Sequence, residues 1–95
     1  ITDNIICDNY DTYSTGSLGE QAAHWSTWSG ELGGPEDGIV TTDQALSGPN
    51  SMFIDSTGTQ DVLLLLGNKH VGIYIIEMDI YIPAGSTGYY NIQNE

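Results

Sequence analysis

Between Gly72 and Pro83 the chain reads GIYIIEMDIYIP, and this stretch limits the fold more than any other. Side chains of a strand alternate between two faces. Tyr74, Ile76, Met78, Ile80 and Ile82 share one face, apolar throughout. Ile73, Ile75, Glu77, Asp79 and Tyr81 share the other, which turns from apolar to acidic to aromatic. A period of two predicts a strand with its even-numbered side toward a core. The remaining apolar runs are short and bounded by turn residues, so NIICD, WSTWSG, GIVTT, NSMFID, DVLLLLG and TGYYNIQ are also predicted as strands. Gly33-Gly34-Pro35, Gly48-Pro49-Asn50, Thr57-Gly58, Gly67-Asn68 and Pro83-Ala84-Gly85 punctuate them. The one helical signal, SLGEQAAHW, predicts a single turn capped by Ser17, with Glu20 three residues on.

This pattern predicts an all-β fold, a jelly-roll-type antiparallel β-sandwich, with residues 1–95 forming one domain or a portion of one. A domain this small buries a modest share of its surface. It has a single cysteine, Cys7, so no disulfide within the chain supplements its core. Cys7 itself reads as a buried free thiol. The closing GYYNIQNE stops in or just after a strand, and the opening ITDNIICD carries no leader signature. Further strands, from the same polypeptide or a neighbouring subunit, are therefore expected to complete the sandwich.

Charge narrows the partners. Thirteen acids against one cationic residue, Lys69, give a formal charge of −12. Such a chain has no basic surface with which to displace counterions from a phosphate backbone, which argues against nucleic acid. An anionic membrane surface is disfavoured for the same reason. No segment approaches the roughly 20 apolar residues that cross a bilayer as a helix, so membrane insertion is not expected. The charge is compatible with calcium and with neutral partners such as glycans.

The candidate binding residues follow from register. If the long strand and the last one pair through the PAGSTG loop, Glu77, Asp79, Tyr81, Tyr89, Asn91 and Gln93 form one polar, aromatic surface. Aromatic faces, amides and acceptors suit hydroxyl-rich neutral sugars. Trp25 and Trp28, three apart, point to opposite faces of a strand, so one of them is expected inside. The GGPEDG loop offers Glu36 and Asp37 as calcium ligands, with Asp8 as an acid from elsewhere, because calcium needs six to eight oxygens. His24 and His70 lie far apart in the chain and give no transition-metal spacing.

DNYDTYSTGSLGEQAAHWSTWSG, GGPEDGIVTT, ALSGPNSMFI, QDVLLLLG and YIPAGSTGYYNIQ together resemble a domain of large secreted bacterial surface proteins, similar to concanavalin A-like lectin and glucanase sandwiches. The resemblance covers nearly the whole chain and corresponds to the N-terminal half of such a domain. It implies a secreted or cell-surface location and a sugar site on the concave sheet. Ala45, Ser47, Gly48 and Ser51 match an A-x-S-G-x-x-S pattern that also occurs in sugar-binding jelly rolls. Glucanases of that superfamily carry Glu-x-Asp-x-Glu on the active strand. Here Glu77 and Asp79 match, but Tyr81 replaces the second Glu, and a retaining glycosidase needs both carboxyl groups. The expectation is a non-catalytic carbohydrate-binding or adhesion module whose partner is a glycan or another surface protein. A ligand-free structural segment of an extracellular fibre or multidomain surface protein is the alternative, and a lapsed β-glucanase-like glycosidase the second.

Overall fold

The turn residues cut the chain into strands two or three residues long, and their ladders gather in the first two thirds of the sequence. A computed structural model describes residues 6–67 and 71–93. Among these residues there is no helix, and five strands form: β1 (Gly16–Ser17), β2 (Trp25–Thr27), β3 (Ile39–Thr41), β4 (Ser51–Phe53) and β5 (Val62–Leu64). One sheet has the order β1-β3-β4 and the other pairs β2 with β5, all antiparallel. Register is set by Gly16 opposite Val40, Val40 opposite Met52, and Trp25 opposite Leu64. Leu18 N–H donates to the Gly38 carbonyl and Leu65 N–H to that of His24, continuing two of the ladders beyond the strands. The architecture is all-β, with five strands where a jelly roll has eight.

Both sheets feed one core. Leu18, Trp25 and Val40 are buried, and Tyr10, Tyr13, Ala22, Met52 and Val62 pack around them. Trp25 alternates inward on β2, whereas Trp28, beyond its end, is 62% exposed. The three-residue spacing of the tryptophans thus places one inside and one outside, as expected.

Four predicted strands are present as β2 to β5, each shorter than its apolar run. The SLGEQAAHW segment makes the expected turn, with Glu20 N–H on Ser17 Oγ at 3.4 Å and Gln21 N–H on the Leu18 carbonyl, followed by a second in which Trp25 N–H meets the Ala22 carbonyl. β1 was not anticipated, since Gly16-Ser17 lacks any apolar signal. Of the predicted first strand, Asn4 and Ile5 lie outside the described residues, and Ile6–Asp8 form no ladder. Cys7 is exposed, contrary to the expectation of a buried thiol, because no strand carries it into the core.

The long alternating segment differs most from expectation. His70 and Lys69 lie outside the described residues, and residues 71–93 form no strand. Its even-numbered face is not buried: Ile76, Met78, Ile80 and Ile82 are 45–56% exposed. The alternation nevertheless persists, since Ile73 and Ile75 on the other face are 96% and 82% exposed. Ser86 N–H donates to the Pro83 carbonyl, closing a turn in which Gly85 takes φ 84°, a value that suits glycine at the third position of a type II turn. The chain reverses there, but no ladder joins residues 73–82 to residues 88–93.

Candidate functional site

Three places gather chemistry-bearing side chains: two carboxylate hubs under the sheets, and the open cleft beside residues 73–93. Asp8 forms the first hub. Its Oδ1 accepts the Tyr10 N–H at 2.8 Å, an Asx-turn bond two residues on. Its Oδ2 accepts the Tyr13 hydroxyl at 2.5 Å, Trp25 Nε1–H at 2.8 Å and His24 Nε2 at 2.7 Å. Burial raises the Asp8 pKa, but the bonds from Tyr13, Trp25, Tyr10 and His24 outweigh it and hold the carboxyl below its ordinary value. An ionised carboxylate only accepts, so His24 carries its proton on Nε2. Tyr10 holds φ 66°, a region bulky residues rarely enter, and its ring lies 5.8 Å from that of Trp25. Asn50, buried at the start of β4, fixes the same turn by donating Nδ2–H to the Tyr10 and Tyr13 carbonyls at 2.9 and 2.8 Å.

Asp37 forms the second hub and is 1% exposed. Its Oδ1 accepts the Gly19 N–H at 2.9 Å, and its Oδ2 accepts the Ser17 hydroxyl at 2.5 Å and the Gly33 N–H at 2.8 Å. Burial again raises the pKa, and the Ser17, Gly33, Gly19 and Gly38 donors more than reverse it, so the carboxyl ionises below its ordinary value. One side chain thereby ties β1, the turn after it and the Gly-rich loop before β3. Gly19 is required here: a Cβ on it would come within 2.7 Å of Leu32 Cδ2 and 2.9 Å of Asp37 Oδ2. Gly19→Ala is accordingly expected to cost about 1–3 kcal/mol of stability. Urea denaturation would check this, and an unchanged midpoint would show that the hub tolerates a methyl group.

These hubs decide how the expected calcium ligands are used. A carboxylate has roughly four lone-pair sites. Asp8 receives four protein hydrogen bonds and Asp37 three. Glu36 stands apart in use: its Oε1 accepts the Ser29 N–H at 3.3 Å, and its carbonyl accepts the Asp61 N–H. The three acids do not assemble; among the described residues no group of three or more His, Cys, Asp or Glu side chains could hold a metal ion. GGPEDG is tied into the fold through the Glu36 and Asp37 carboxylates and the Gly33 amide. The signal that could have revealed the Asp8 hub was local, the D-N-Y spelling of an Asx turn. Nothing local marks Ser17 or Gly19 as partners of Asp37, whereas Gly33 lies only four residues before it.

The six residues expected to bind sugar lie elsewhere. Glu77, Asp79, Tyr81, Tyr89, Asn91 and Gln93 all line one open cleft of about 3290 Å³. Tyr81 and Tyr89 are 66% and 87% exposed. Tyr90, on the other face of the same segment, is 62% exposed as well. Phe53, Ile54 and Leu65 line the same cleft from the sheets. Glu77 also borders a smaller hollow of about 680 Å³ with Cys7 and Asp8. No family model, curated protein or solved structure matches this chain, and the roles assigned to its residues rest on their own geometry.

Proposed function

We propose that this chain is a non-catalytic recognition module of a secreted or cell-surface protein, a jelly-roll-type domain that binds an extended neutral glycan. The observation that carries the reading is the common cleft of Glu77, Asp79, Tyr81, Tyr89, Asn91 and Gln93. The even-numbered residues of 74–82 and the rims of both sheets line the same space, so it is an open face and not an enclosed pocket. Such a face suits an extended ligand better than a monosaccharide held on all sides. Exposed tyrosine rings supply stacking surface, while Asn91 and Gln93 supply donors and acceptors for hydroxyl groups. Tyr81 in the place of a second Glu supports a non-catalytic role, because a retaining glycosidase needs a matched pair of carboxyl groups.

The experiment is calorimetry with soluble β-glucan and other neutral polysaccharides. The double variant Tyr81→Ala, Tyr89→Ala is expected to weaken binding at least tenfold, since aromatic stacking of this kind contributes about 1 kcal/mol per ring. Trp28→Ala, an exposed aromatic control that also borders the cleft from the sheet side, is expected to bind like the parent. Parent-like binding by the tyrosine pair would refute the site, and failure of the parent on every polysaccharide would refute the ligand class.

A further inference from the structure

We propose that the stripe Tyr74, Ile76, Met78, Ile80 and Ile82 docks an extended β-strand of another polypeptide, one that alternates apolar residues with Lys or Arg. This inference rests on the even-numbered face, whereas the glycan reading uses the odd-numbered one; the two share the cleft and the acids Glu77 and Asp79. The stripe is the less exposed side of its segment, yet each member stays 45–56% exposed, an apolar row with nothing packed over it. The backbone beside it is equally unpartnered. Among the described residues, the only backbone–backbone bond in 73–93 is the Ser86–Pro83 turn. A row of free N–H and C=O groups beside alternating apolar side chains is the template for strand addition.

Phe53, Ile54 and Leu65, which line the same cleft, add further apolar surface and are 48–52% exposed. A strand rising about 3.3 Å per residue would run roughly 33 Å along residues 73–82. Charge identifies the partner's other residues. The cleft is bordered by Asp43, Asp55, Asp61, Glu77 and Asp79, and the chain's one Lys or Arg, Lys69, lies outside the described residues. Cationic residues between the apolar ones would meet these acids, and complementary charge governs selection and encounter rate. A second copy of this chain would bring another −12 and be repelled.

The test uses two labelled ten-residue peptides, alternating Val–Lys and alternating Val–Glu, titrated with the protein in fluorescence anisotropy. The Lys peptide is expected to bind, to weaken at least tenfold as salt rises from low to molar concentration, and to lose binding when its alternate amides are N-methylated. The Glu peptide is expected to bind at least tenfold more weakly. Ile76→Thr with Ile80→Thr should abolish the interaction while near-ultraviolet dichroism from the Trp25 core stays unchanged. Tyr81→Ala with Tyr89→Ala should leave it intact, which separates this inference from the glycan site. Equal binding of the two peptides, binding of neither, indifference to N-methylation, or a stripe-dependent dimer in sedimentation would each overturn it.

Discussion

Replacing Asp37 by Ala is expected to cost about 2–5 kcal/mol, a large share of what a domain of this size has. The carboxylate is buried and collects the Ser17 hydroxyl with the Gly19 and Gly33 amides. Removing it orphans the buried Gly19 amide, at about 1–3 kcal/mol, and hands the half-buried Ser17 hydroxyl and the exposed Gly33 amide to water at the loss of two charge-assisted bonds. Native stability is about 0.05–0.15 kcal/mol per residue, so a domain of this size has only about 5–14 kcal/mol to lose. Asp37→Asn does not rescue the site, because its amide nitrogen must face either the Gly19 N–H or the pair on Oδ2. The pH dependence follows from the same bonds. The folded pKa lies below the ordinary 3.8, so the stabilisation is complete above that value and is lost as pH falls through the folded pKa. Chemical denaturation across pH would read this. The parent should weaken steeply below pH 3.8, and Asp37→Asn should lack that part of the loss. A parent-like melting profile for Asp37→Ala would show that the loop is held by something else.

Legibility in the sequence tracked how local the determinant was. β2 to β5 were readable because apolar runs between turn residues dictate strands whatever their partners. The inside–outside split of Trp25 and Trp28 was readable because it needs only spacing. β1 was not, because Gly16-Ser17 is a strand only by pairing with Val40 and Ile39 across the sheet. The 72–82 alternation was read as a buried strand, yet alternation reports which side could be covered and not what covers it. Asp37 looked like a calcium ligand from its place in an acidic, Gly-rich loop. Two of its three hydrogen-bond partners come from 18 and 20 residues earlier, beyond the reach of any local pattern, and the third, Gly33, from the same loop. The six residues of the polar face were legible as a set from register, and they line one cleft although the ladder invoked to unite them does not form.

The second large effect is expected at Asp8, with a spectroscopic signature that a general loss of packing would not produce. Tyr13, Trp25 and His24 converge on Oδ2, and Tyr10 N–H meets Oδ1. Asp8→Asn can keep its oxygen toward the three side chains only by turning its NH₂ against the Tyr10 amide. It should therefore cost about 1–3 kcal/mol, for one orphaned donor and weaker neutral bonds. Asp8→Ala loses every acceptor, including that of the buried Trp25 indole, and should cost about 3–5 kcal/mol. Burial, the hydrogen bond to Asp8 and the Asp8 charge push the Tyr13 phenol up from 10.0 to about 12. Its neutral form is thus favoured by folding, so this stabilisation is complete below pH 10 and disappears as pH rises from there toward 12. Asp8 itself acts at the other end of the scale, its contribution falling away as pH drops below 3.8. One hub thereby limits the stable range on both sides. In an alkaline titration followed by tyrosinate absorbance, the parent should show tyrosine ionising near pH 12, with Tyr10 also late because burial and Asp8 raise it. Asp8→Asn, which folds well enough to titrate, should move Tyr13 back toward 10. If Asp8→Asn retains the late tyrosine, Tyr13 is not held by the carboxylate, and the hub that positions Trp25 in the core is wrongly assigned.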